Sequence, residues 1–158
     1  MLSLLPSIVV LGLAAFAALQ LTLNRESSPG KKQERFAVAR VLGITTVLQG
    51  IHFVEEFGTG FIGQLGAFFG LPAMPLSFFT VFNLLWLGIW IAAIPGLKSS
   101  QKWAFFAAWF LAIAGVINGI AHPLLAVAKG AYFPGLISAP FVGIASVWLW
   151  IRLQQATE

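Results

Sequence analysis

Two histidines and two glutamates stand in stretches of sequence otherwise apolar enough to cross a membrane. In QGIHFVEEFG, His52 and Glu56 are four residues apart and share one face of an ideal helix; Glu55 lies just beside that stripe, and Gln49 extends it by a turn. An ionised carboxylate at a bilayer centre costs about 2.5–3.5 kcal/mol on insertion scales, so an adjacent pair is expected to face protein, water, a proton or a metal rather than lipid. Asn83, Asn118 and His122 are the other notable polar residues in apolar stretches.

This set admits three chemistries. In the first, His52, His122 and one glutamate, with Glu56 the better placed, bind a divalent metal such as zinc or iron, the two-His, one-carboxylate set of zinc hydrolases and non-haem iron enzymes. The second glutamate is then the base, and Asn118, one turn from His122, orients a substrate or completes the shell. In the second, a glutamate and a histidine form an acid/base pair in a pocket of low dielectric, and Gln49, Asn83 and Asn118 polarise a carbonyl or hold water. Those roles would make His52, Glu55, Glu56 and His122 the catalytic residues and the three amides the substrate contacts. In the third, the cluster bridges helices or relays protons in a small proton-linked transporter or lipid-binding membrane protein.

Composition narrows the class. Of 158 residues, 59% are hydrophobic and only 9% charged, and the mean hydropathy is +0.91; these values mark an integral membrane protein. The net charge of +4 comes from nine basic residues, which read as membrane topology and not as a nucleic-acid footprint. With no cysteine there is no disulfide framework, thiolate nucleophile or thiolate metal site. Any metal falls to His, carboxylate or amide.

The elements that must position the cluster follow from apolar run lengths, since about 20 residues span a hydrocarbon core. The sequence predicts an all-α membrane bundle of five transmembrane helices forming one domain over 1–158: about 2–23, 36–57, 76–97, 103–127 and 133–153. The first stretch has no basic residue before Arg25 and reads as a spanning helix rather than a signal peptide. A polar linker, NRESSPGKKQER, follows it. Between Gly58 and Pro75, a Gly-rich, uncharged segment is expected to form an interfacial or re-entrant hairpin that could cover a site, or a short interfacial helix with no role. Gly115 and Gly119 make a small-xxx-small pair for close helix approach, and Pro123 cannot donate to the Gly119 carbonyl.

Five spans leave Arg25, Lys31, Lys32, Arg35, Arg40, Lys98, Lys102 and Arg152 on one side and Lys129 on the other. The positive-inside rule then predicts an N-terminus outside and a cytoplasmic C-terminus, with the Lys31 loop and Thr157 on the cytoplasmic side. At roughly 1.5 Å per residue, His52 lies about 18 Å and Glu56 about 24 Å above the cytoplasmic edge, with Asn118 about 22 Å and His122 about 28 Å up. Asn83 enters from the other side, about 10 Å below the outer edge. One shared site in the outer half of the bilayer is the expectation.

HFVEE, with His52, Glu55 and Glu56, resembles the signature of the HXXEE family of small bacterial integral membrane proteins. Asn118 to His122 and Tyr132 to Gly135 are similar to that family's later N-x-x-x-H and Y-F-P-G motifs. The resemblance implies a bacterial inner-membrane location and names no reaction. More loosely, IHFVEEFG is similar to a stretch of the emopamil-binding sterol isomerases, in which a His and a Glu move protons on an isoprenoid-derived substrate. Only His52 and Glu56 correspond, and Phe57 stands where that pattern has glycine. The paired glutamates are also similar to those of CAAX-type intramembrane proteases, although no arginine follows them on this helix. Together these imply a membrane-embedded enzyme acting on a hydrophobic, lipid- or isoprenoid-type substrate.

Overall fold

A computed structural model describes residues 5–158, with side chains from residue 7 onward. The expected helix start at residues 2–4 lies outside the described residues. Those described form α1 (Leu5–Asn24), α2 (Lys32–Thr59), α3 (Phe61–Phe68), α4 (Leu76–Lys98), α5 (Lys102–Lys129) and α6 (Ala139–Ala156), with no strand among them. Among the described residues, four helical stretches are long and apolar enough to cross a membrane: Ser7–Asn24, Pro29–Thr59, Leu76–Lys98 and Lys102–Lys129. At 18 residues α6 is as long as the Ser7–Asn24 stretch, but Arg152, Gln154 and Gln155 make its last turns polar.

The packing turns small residues inward. α5 lies between α1, α4 and α6, while α2 packs on α4 and α6. Ala104, Ala107, Ala108 and Ala112 of α5 are fully buried beside Trp109, Leu149 and Leu153, so neighbouring backbones approach closely. Gly119 and Gly143 bring the α5 and α6 backbones together: a Cβ on Gly119 would lie 2.7 Å from the Gly143 Cα. Outward faces are apolar as well, with Leu13, Phe16, Val47, Val54, Val81, Ile91, Val127 and Ile144 all exposed. An exterior of this kind is suited to lipid, since apolar patches of such extent are foreign to soluble monomers.

Polar contacts tie three segments into one end of the bundle. The backbones of Glu26 and Glu158 exchange two hydrogen bonds of 3.0 and 2.9 Å. Arg25 Nε donates to Thr157 Oγ1 at 3.0 Å, and Lys102 Nζ reaches Glu26 Oε1 at 2.9 Å. The Lys102 hydrogen bond, followed by its charge, holds the Glu26 carboxyl below the usual range. Lys129 is at the opposite end, bonded to Gln64 Oε1 and to the Tyr132 carbonyl.

Two segments bear on the expected bounds. The Gly-rich stretch after Gly58 forms the eight-residue helix α3 followed by an irregular run, because Gly60, at φ +80°, ends α2 in the left-handed conformation and lets the chain turn back. The last helix begins at Ala139 rather than at Phe133. Gly135 has φ +87°, a conformation no helix continues, and Pro134 beside it has no N–H to give. Residues 133–138 instead form turns, and Pro140 occupies the first turn of α6, where its missing N–H costs nothing.

Candidate metal centre

His52 comes from α2 and His122 from α5, each about two turns from the end of its helix away from the basic cluster. Both rings are buried, His52 completely. Their centroids are 4.8 Å apart with planes at 88°. Glu56, one turn after His52 on the same face, directs Oε1 to both rings: 3.6 Å to His52 Nε2 and 3.4 Å to His122 Nε2. Gln49 is buried one turn before His52, its carbonyl oxygen without a partner.

The outer ring nitrogens decide what the inner ones are. His122 Nδ1 lies 2.6 Å from the Pro134 carbonyl oxygen, which can only accept, so Nδ1 carries a proton and the neutral ring presents a lone pair at Nε2. His52 Nδ1 lies 2.8 Å from Ser138 Oγ, and its Nε2 has no hydrogen-bond partner. One ligand atom from each of His52, Glu56 and His122 lies within 4.8 Å of the others, and with the His52 proton on Nδ1 the Glu56 Oε1 and the two Nε2 atoms are three acceptors facing one point. Acceptors converging in a buried space need a cation or a proton between them. The His52, Glu56 and His122 group could hold a metal ion: neutral imidazoles and a carboxylate suit zinc or iron.

Glu55 faces elsewhere. Its Oε1 accepts from Tyr132 Oη at 2.7 Å and from Ile137 N at 3.0 Å. Its Oε2 accepts from Ser138 N at 2.8 Å and from the Ser138 hydroxyl. The carboxylate thus satisfies the N–H groups of Ile137 and of Ser138, the residue that caps α6, neither of which has an intrahelical partner. Partial burial, and then the bond to Glu55, push the Tyr132 phenol above its ordinary range.

Asn83 is half-buried and donates to the Phe79 carbonyl one turn back in α4 at 2.9 Å, which commits its amide to its own helix. Asn118 is half-buried on α5 and has no side-chain hydrogen bond among the described residues. Neither amide is bonded to the His/Glu cluster. The residues that enclose it come from the 132–138 turn and from α3. Phe61 lies tilted against His122 at 5.5 Å, Phe133 lies 6.0 Å from the same ring, and Gly135 lies against both imidazoles. Ser138 carries no pattern that marks it as a site residue, and Pro134 and Gly135, although they stand in the YFPG stretch, are not among the site residues expected from the sequence; the Gly/Pro punctuation of AYFPGLIS beside His122 is the signal that could have found them.

A cavity lined by Thr22, Arg25, Glu26, Ser27, Ser100, Lys102 and Phe105 lies at the basic end, away from this chemistry. A second, apolar cavity is lined by Ile113, Val116, Ile117, Val147 and Trp150 between α5 and α6. Comparison with family models, curated proteins and solved structures gives no match to this chain.

Proposed function

We propose that this protein is a five-span membrane enzyme in which His52, Glu56 and His122 hold one zinc or iron ion and act on a hydrophobic, lipid- or isoprenoid-type substrate. The observation that carries the reading is the convergence of Glu56 Oε1 and the Nε2 atoms of His52 and His122 in a buried site. Ligands at about 2.0–2.1 Å from a tetrahedral metal lie roughly 3.3–3.5 Å apart, and the Glu56 oxygen lies 3.4 and 3.6 Å from the two nitrogens. Hydrogen-bonded acid/base partners would stand at about 2.6–3.2 Å. The two oxygen-to-nitrogen separations suit a shared ion, whereas a metal-free His/Glu pair has to close by a few tenths of an ångström when substrate binds. Three protein ligands leave a coordination position free, as catalytic sites do and closed structural sites do not. A metal there supplies Lewis acidity or an activated water, serving an isomerase or a hydrolase.

Protein purified without chelator is expected to carry about one zinc or iron per chain by mass spectrometry of the elements, and His122→Ala to carry none. Protein without metal under these conditions overturns the metal reading. A proton-linked carrier would instead move protons in liposomes and form no product from any lipid.

In this reading α6 is the fifth span, the basic end is cytoplasmic and the metal centre lies in the outer half of an inner membrane, the arrangement expected from the HXXEE resemblance. The contacts gathering Arg25, Lys31, Lys102 and the C-terminus support it. Thr157 is only 3% exposed, so exposed neighbours make better probes. In this cysteine-free chain, Lys32→Cys and Glu158→Cys are expected to resist an impermeant thiol reagent in intact cells, and Ala131→Cys to react. The reverse pattern inverts the topology.

A further inference from the structure

The hydrogen bonds around Ser138 reach from the exposed edge of the bundle to a fully buried ring. Tyr132, 39% exposed, donates to Glu55; the Ser138 hydroxyl also donates to Glu55; and Ser138 Oγ meets His52 Nδ1 at 2.8 Å. A hydroxyl has one proton and two lone pairs. Facing a carboxylate that already accepts two backbone N–H groups, Ser138 gives its proton to Glu55 and keeps a lone pair for His52.

We infer that Ser138, anchored by Glu55, is a positioning residue that holds the His52 proton on Nδ1 and so keeps the Nε2 lone pair aimed at the metal position between Glu56 and His122. This rests on the metal reading above. His52 is completely buried, so no solvent replaces the Ser138 acceptor. Without it, the other tautomer gains a partner: a proton on Nε2 would face Glu56 Oε1, 3.6 Å away. A small ring rotation closes that hydrogen bond and withdraws both atoms from the metal. Glu55 thereby supports the centre without touching it, which gives the second carboxylate of the HFVEE stretch a role other than base or ligand. His122 needs no such device, since a backbone carbonyl fixes its tautomer.

Ser138→Ala tests the hydroxyl alone, because the Ser138 backbone N–H to Glu55 at 2.8 Å survives the change and the start of α6 keeps its cap. Metal-stripped, full-length protein in nanodiscs is titrated with Co²⁺ and followed by its visible absorption. Ser138→Ala is expected to weaken binding about 10–100-fold, the usual cost of losing an outer-shell partner, and Ser138→Thr to restore it to within a few-fold. Equal affinity in wild type and Ser138→Ala overturns the inference and leaves the metal reading intact. So does equal weakening by alanine and threonine, which would mean packing and not the hydroxyl. A wild type that binds neither Co²⁺ nor Zn²⁺ overturns the metal reading itself. Nitrogen NMR of the metal-free protein separates the two: the His52 proton is expected on Nδ1 in wild type and on Nε2 in Ser138→Ala. A proton that stays on Nδ1 in the variant removes the role assigned to Ser138.

Discussion

Glu56→Gln is expected to give a folded protein that no longer retains a divalent ion. The amide keeps the size of the carboxylate, and its NH2 group can donate to a histidine Nε2 that otherwise meets only acceptors. The fold should therefore be undisturbed or slightly more stable. The charge is lost, and a neutral amide is a poor replacement for a carboxylate opposite two imidazoles. Losing an outer-shell partner costs about 10–100-fold in affinity; loss of a direct ligand should cost at least ~100-fold, about 2.7 kcal/mol. Elemental analysis after dialysis reads this as loss of the ion with unchanged expression and helicity. Glu55→Gln should behave differently. It leaves Oε1, Nε2 and Nε2 of the cluster in place but gives four donors a side chain with one accepting oxygen. An unsatisfied group costs about 1–3 kcal/mol, so stability should fall while most of the ion is kept. If Glu55→Gln loses the ion and Glu56→Gln keeps it, the site has been assigned to the wrong carboxylate.

The helical part of this site is legible in the sequence because helices have a fixed period. A separation of four residues places His52 and Glu56 on one face, and an apolar run around an ionisable group makes lipid exposure costly, so the stripe turns inward. The meeting of His52 with His122 rests on weaker ground, a coincidence of depth on two helices, and only tertiary packing brings the rings to 4.8 Å. The 132–138 turn is of another kind. Its contributions are a carbonyl oxygen from Pro134, a hydroxyl from Ser138 and the absence of a side chain at Gly135. Backbone groups leave no trace in residue type, and a glycine chosen for space looks like one chosen for a turn. The same turn displaces the start of α6 from Phe133 to Ala139: apolar composition through 133–138 reads as membrane span, whereas Gly135 and the Glu55 cap end the chain's other options there.

Gly135→Ala is expected to damage the centre without altering any of its ligands. Gly135 has φ +87°, and a methyl group there would lie 2.6 Å from His122 Nδ1 and 2.7 Å from His52 Cε1. Neither ring can retreat easily. His122 is held through Nδ1 by the Pro134 carbonyl and His52 by Ser138, while Phe61 and Phe133 lie against His122. A left-handed alanine costs about 1–2 kcal/mol, and an added methyl in a packed site about 1–3 kcal/mol. Their sum, roughly 2–5 kcal/mol, predicts a fall in Tm of roughly 4–20 °C together with loss of the ion as the rings part. Gly130→Ala supplies the control. Its φ is +67°, and a methyl there meets nothing within 4 Å, so it carries the backbone strain alone and should keep the ion. Thermal melts and metal content of the two variants side by side therefore separate backbone strain from ring displacement. Equal metal retention in both would mean that the imidazoles can shift by more than a methyl radius and still bind, and that the turn does not set the geometry of the centre.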